Sequence, residues 1–130
     1  MAVRILVVED EAPIREMYRA KLTLEGFEVS TAADGREGLK AAKKNPPDLL
    51  LLDIRMPVLS GDEMLAKLRA AEWGSPIKVM MLTNLSRDEA PSTLRYLNVD
   101  RYVVKAHHTP AQVVDIVREV LHLPKDYKKS

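Results

Sequence analysis

The chain of 130 residues contains no cysteine. That excludes disulfides, thiolate nucleophiles and cysteine-held zinc, and it is compatible with a cytoplasmic location. It also lacks a charge bias: 20 lysines and arginines face 19 aspartates and glutamates. No overall field therefore draws it toward nucleic acid or an anionic membrane. The halves differ mildly, with 12 acids and 9 bases in residues 1–65 against 7 acids and 11 bases in 66–130. The basic excess includes Lys125, Lys128 and Lys129, which read as a solvated end. No apolar run approaches the roughly 20 residues needed to span a bilayer. The run that follows Met1-Ala2-Val3-Arg4 is too short for a signal peptide. There is no internal repeat and no low-complexity stretch. The length fits one domain, expected over residues 1–123, with 124–130 as a tail or the start of a linker.

What is present is a set of four apolar runs that each deliver a polar residue at the C-terminal end. Ile5–Val8 runs into Glu9 and Asp10, Leu49–Leu52 into Asp53, Val79–Leu82 into Thr83, and Tyr102–Val104 into Lys105. In an open parallel sheet, ligands bind beyond the carboxyl ends of the strands. Neighbouring strands would therefore gather three carboxylates, a hydroxyl and an ammonium. That set suits a divalent cation and a phosphoryl group.

Between the runs lie helix patterns. Ile14, Met17, Tyr18 and Leu22 recur at helical spacing over 13–25, with Pro13 in the first turn and Gly26 as the stop. A short strand follows over 28–32. Asp34 and Glu37 resemble a capping box for a helix to about Lys44, which Asn45-Pro46-Pro47 ends. A third helix starts at Ser60 or Gly61 and ends near Trp73-Gly74. Ser86 and Glu89 suggest another capping box, but Pro91 would then sit inside the helix, so a short helix over about 88–97 is expected, with Asn98 as its stop. Thr109-Pro110-Ala111-Gln112 opens a last helix that ends before Pro124. Five strands alternating with five helices give an α/β, flavodoxin-like (βα)5 fold with a parallel sheet of order 2-1-3-4-5. In that order the four strands that carry the polar residues are contiguous.

The set Glu9-Asp10, Asp53, Thr83 and Lys105, with Tyr102 three residues before the lysine, resembles the receiver domain of two-component response regulators. Met56-Pro57, Gly61 and Asp34-Gly35 add to the likeness, which covers Ile5 to about Leu121. The resemblance implies that Asp53 accepts a phosphoryl group from a histidine kinase or phosphotransfer protein. It implies a Mg²⁺ site with Asp10 and Asp53 as direct ligands, Glu9 acting through water and the Arg55 backbone carbonyl as a further ligand. Lys105 and Thr83 would hold the phosphoryl oxygens. Thr83 and Tyr102 would form a switch pair, with Tyr102 turning inward as the threonine moves. The surface of the fourth helix, fifth strand and fifth helix would change, including those of Arg87, Leu94, Arg95 and Tyr96 that face outward. Arg55 and Leu85 would flank the pocket mouth.

The family usually has proline after the lysine, where this chain has Ala106, so a trans Lys105–Ala106 bond and a re-routed loop are expected. Taken singly, each polar residue has an ordinary reading: Glu9 and Asp10 as helix-capping acids, Asp53 as a loop acid, Lys105 as a surface lysine. It is their coincidence at four strand ends that carries the inference. A haloacid-dehalogenase-like phosphatase would need an aspartate where Arg55 stands, and a flavin site would not tolerate Glu9-Asp10-Glu11 beside a phosphate. A receiver-like scaffold that works without phosphorylation is the alternative. His107-His108 reads as a solvated loop pair rather than a metal site. No segment after the last helix reads as a helix-turn-helix. The chain is thus expected to be a stand-alone receiver or one excised from a longer regulator, a monomer or weak phosphorylation-dependent dimer. It would act on a downstream protein target or an effector domain, without direct contact to nucleic acid or membrane.

Overall fold

The computed structural model describes residues 2–127. The parallel sheet has the order β2-β1-β3-β4-β5. Its strands are β1 (Arg4–Val8), β2 (Glu28–Ala32), β3 (Leu49–Leu52), β4 (Lys78–Thr83) and β5 (Arg101–Val104). The helices are α1 (Ala12–Leu24), α2 (Gly35–Lys44), α3 (Gly61–Ala70) and α4 (Pro110–Val120).

The continuous apolar strands exist because both faces are covered. Ile5, Val7, Leu49, Leu51, Met80 and Leu82 pack with Tyr18 and Leu22 of α1 and with Val113, Val114 and Val117 of α4. The alternate residues Leu6, Val8, Leu50, Leu52, Val79 and Met81 pack with Ala42 of α2 and with Met64, Leu65 and Leu68 of α3. All four leucines of β3 are buried, and burial of each contributes roughly 2–3 kcal/mol. Caps set the helix starts. Asp34 accepts from the Glu37 N–H (2.8 Å), and Thr109 forms the expected reciprocal box with Gln112. Gly26, at φ 97°, takes the left-handed turn that ends α1.

Two helices depart from expectation. α3 stops at Ala70 rather than near Gly74, because Ala71 is extended, and beyond it the carbonyls of Gly74, Ser75 and Ile77 bond to the Arg69 side chain. The expected helix over 88–97 is only a short 3₁₀ helix, Ser92–Tyr96. Ser86 and Glu89 do bond reciprocally (2.9 and 3.3 Å), but around a turn. Pro91, at ψ 134°, then leaves the helical region and has no N–H to continue a ladder. Asn98 stops the segment at φ 53°, as expected. Leu94 faces the core rather than solvent, whereas Arg87, Arg95 and Tyr96 are exposed.

The C-terminal segment is not free at its start. Tyr127 stacks on Phe27 with ring centroids 5.4 Å apart, and its carbonyl accepts from Arg118 (3.3 Å). The packed unit therefore continues past residue 123 to at least 127. Lys128 and Lys129 lie outside the described residues.

The loop after β3 contains a strained position. Val58 is a β-branched residue at φ 70° and is 71 % exposed. Left-handed backbone costs such a residue about 1–2 kcal/mol, whereas glycine there would add back up to about 1 kcal/mol of unfolded-state entropy. Val58→Gly should therefore raise unfolding stability in urea by about 0.5–1 kcal/mol. A loss of stability would show that Val58 makes contacts worth more than its strain.

Candidate phosphoryl and metal site

The pocket is assembled by sheet register. Val8 pairs with Leu52, and Leu52 with Met81, so Glu9 and Asp53 leave adjacent strands at the same level. The Asp53 N–H extends the ladder to the Val8 carbonyl (3.2 Å). Thr83 pairs with Val104, which puts Lys105 one step beyond. The Lys105–Ala106 bond is trans, since the described chain contains no cis peptide. The loop passes through a 3₁₀ turn, Lys105–His107, and His108 Nδ1 lies 3.0 Å from the Val104 carbonyl.

Lys105 is the centre of the arrangement. Its Nζ donates to Glu9 Oε1 and to Asp53 Oδ2 at 2.9 Å, and the three side chains are only 9 %, 4 % and 11 % exposed. The other oxygens of both carboxylates also have donors: Glu11 N–H to Glu9 Oε2 (3.2 Å) and Ile54 N–H to Asp53 Oδ1 (2.7 Å). Burial pushes the Glu9 carboxyl above its ordinary value, and the Asp53 charge adds to this against the pull of Lys105. Burial works to lower the Lys105 pKa, but its bonds to Glu9 and Asp53 outweigh this and hold it above the usual lysine value. The ammonium therefore stays charged.

Asp10 is exposed at the rim, and one oxygen from each of Glu9, Asp10 and Asp53 lies within 4.8 Å of the others. Three carboxylates against one ammonium leave the pocket two charges negative. An all-oxygen donor set of that charge fits a hard divalent cation such as Mg²⁺. Arg55, two residues past Asp53, is exposed.

Thr83 is buried at the end of β4, where its Oγ1 accepts from the Leu85 N–H (3.4 Å). Tyr102 is half-buried, and its hydroxyl donates to the carbonyls of Leu85 (2.8 Å) and Ser86 (3.2 Å). Arg87 sits over its ring, 5.4 Å from the centroid. The two residues expected to form a switch are thus linked through the backbone of one loop.

Two further residues shape the pocket without having been singled out in the sequence for these contacts. Arg15 of α1 donates to the carbonyls of Glu9 (2.9 Å) and Asp10 (3.3 Å), fixing the acidic loop from behind. Its sequence position, one turn into a helix, gives no hint of this. Gly61 lets the start of α3 approach the acceptor strand, because a Cβ there would lie 1.9 Å from the Asp53 carbonyl oxygen. Its N–H donates to the Ile54 carbonyl (2.8 Å).

Comparison with known proteins agrees with this geometry. Residues 5–118 match the family model described as response regulator receiver domain. A probable transcriptional regulator, ycf27 of Porphyridium aerugineum, is 37% identical over 118 residues, which is 91% of this chain and 48% of the relative. The transcriptional regulatory protein PrrA of Mycobacterium tuberculosis is 40% identical over 102 residues, 78% of this chain and 43% of the relative. The chain thus spans less than half the length of these relatives. Among solved structures, the chemotaxis protein CheY4 of Vibrio cholerae superposes with a TM-score of 0.85 at 30% identity, covering 92% of this chain and 99% of that one. The receiver domain of a Pseudomonas aeruginosa sensor histidine kinase, solved with a magnesium ion in its active site cleft, gives 0.81 at 25% identity over 94% and 99%. The strand order, the acidic cluster and the family match together establish that this chain belongs to the response regulator receiver domain family.

Proposed function

We propose that the domain accepts a phosphoryl group on Asp53, from a histidine kinase or phosphotransfer protein, and converts that event into a change of surface. The observation that best supports this is a lysine buried between two carboxylates at adjoining strand ends. In the proposed step an Asp53 carboxylate oxygen attacks phosphorus. The O–P bond forms as the N–P bond of the donor phosphohistidine breaks, and the imidazole leaves. Lys105 exchanges carboxylate partners for phosphoryl oxygens and balances their charge. The Thr83 hydroxyl, on the neighbouring strand, donates to another phosphoryl oxygen. Glu9, Asp10, Asp53 and the Arg55 carbonyl would hold Mg²⁺, which supplies charge neutralisation when bound. Arg15 keeps the Glu9–Asp10 backbone in place meanwhile.

Thr83 drawn toward the phosphoryl group carries Leu85 with it, and the Leu85 and Ser86 carbonyls are the acceptors of the Tyr102 hydroxyl. Phosphorylation then shifts the population toward one arrangement of the loop, the 3₁₀ helix, β5 and α4. The domain is a signalling acceptor rather than a turnover enzyme, although it promotes its own phosphorylation and dephosphorylation. It acts in the cytoplasm on a downstream protein target or an effector domain, as a monomer or weak phosphorylation-dependent dimer, without itself contacting nucleic acid or membrane. No helix among the described residues is long and apolar enough to cross a membrane. A phosphorylation-independent scaffold is not favoured, since a scaffold has no use for a buried lysine bridging two acids.

Incubation with acetyl phosphate and Mg²⁺ should add one phosphoryl mass to the intact chain. Chelation of Mg²⁺ or Asp53→Ala should abolish it. An adduct that persists in Asp53→Ala would contradict the site, and none on the wild type from either acetyl phosphate or a kinase would contradict the function.

The switch is tested separately. Thr83→Ala should still take the adduct while the Tyr102 ring resonances respond far less to it. A full Tyr102 response in that variant would show that the coupling runs by another route.

A further inference from the structure

Arg69 lies outside the acid–lysine pocket, yet its guanidinium donates to carbonyls on two separate loops. Nε reaches Leu97 (2.8 Å) and one terminal nitrogen reaches Asn98 (2.8 Å). The other reaches Gly74 (3.2 Å), Ser75 (3.0 Å) and Ile77 (2.6 Å). The planar fork suits this task, because its donors point in fixed directions and keep their charge. The same corner is tied to β4 by Asp100, which accepts from the Val79 N–H (2.8 Å) and donates its own N–H to the Val79 carbonyl (2.8 Å).

Residues 85–98 run from the Thr83 loop to this corner. Inside the segment the hydrogen bonds are local: Ser86 with Glu89, Leu94 N–H to the Pro91 carbonyl, Leu97 N–H to the Leu94 carbonyl. Those that tie it to other elements sit at its two ends. At the front, the Tyr102 hydroxyl holds the Leu85 and Ser86 carbonyls. At the back, Arg69 holds Leu97 and Asn98, where the chain turns through the left-handed region. The front is held by the Tyr102 hydroxyl and by the Leu85 N–H bonded to Thr83 Oγ1, beside the proposed switch, whereas the back is fixed by a half-buried cation.

We propose that Arg69 is the fixed pivot of the output surface: a positioning residue that anchors the Leu97–Asn98 end while the Leu85–Ser86 end follows Thr83. This rests on the acceptor reading of Asp53. With the back held, displacement of the front cannot carry the segment as a body. It must turn the 3₁₀ helix about Leu97, which re-aims the exposed Arg95 and Tyr96 against the buried Leu94. Without the pivot, Asp53 is still loaded and the front still moves, but the middle no longer responds as one unit.

The test uses the whole chain with Mg²⁺ and beryllofluoride, an acyl-phosphate mimic, read by amide NMR and hydrogen exchange. Intact mass after acetyl phosphate serves as the separate control for Asp53. In the wild type, loading should change the amides of 83–86 and 92–96, while exchange at 97–99 stays within about twofold. In Arg69→Met, the adduct and the response at 83–86 should persist. Exchange at Ile77 and 97–99 should rise at least about tenfold, and the concerted shift at 92–96 should disappear. Arg69→Lys, which keeps the charge but offers donors from one point only, should restore part of that shift. A concerted shift retained in Arg69→Met would overturn the pivot. So would a wild type in which 97–99 deprotects as much as 85–90, a result that needs no variant to fold. Absence of an adduct on the wild type would overturn the acceptor reading and the pivot with it, whereas the former results overturn the pivot alone.

Discussion

The pocket depends on one ammonium placed between two buried carboxylates. Removing Glu9 and Asp53 from water is costly, by several kcal/mol for each ion before compensation. Lys105 offsets that cost by bonding to both at once. Backbone N–H groups of Glu11 and Ile54 take up the remaining oxygens. The offset is incomplete, because Asp10 adds a third acid at the rim. A pocket left two charges negative is ready for a divalent cation, and one whose lysine can change partners is ready for a phosphoryl group. Structural stability and proposed chemistry thus draw on the same three side chains.

That placement requires most of the fold. Lys105 reaches Glu9 across strands β4 and β3, so the order β2-β1-β3-β4-β5 and its register must both hold. The register is fixed by strands buried on both faces, where a slip of one residue would exchange the two core layers. Gly61 allows α3 to start against the acceptor loop, and Arg15 pins the acidic loop from α1. The outward path is thinner: a threonine, two loop carbonyls and a tyrosine hydroxyl.

The sheet and the acid–lysine set were legible in the chain because their signals are local. Continuous apolar runs mark doubly covered strands, and each polar residue stands at a run's end. Caps at Asp34 and Thr109 were legible for the same reason. The segment after β4 was misread as a longer helix. Its Ser86–Glu89 pair is a true reciprocal contact, but Pro91 diverts the chain before a ladder can propagate. Which way Leu94 faces was not legible, because its burial depends on contacts distant in sequence. Arg69 could not be read at all, since its acceptors lie from 5 to 29 residues away along the chain. Tyr102 is half-buried, with its hydroxyl bonded to the Leu85 carbonyl, a contact that its place three residues before the lysine does not announce.

Lys105 binds the same carboxylates that a divalent cation would use, so the two should oppose each other there. Calorimetric titration of Mg²⁺ into the wild type and Lys105→Met tests it directly. Removing the positive charge should make Mg²⁺ bind at least about threefold tighter, by loss of Coulomb repulsion between the two cations, in a variant whose far-ultraviolet circular dichroism is unchanged. Equal or weaker binding in that folded variant would contradict the account, because the ammonium would then support the cation site rather than occupy it.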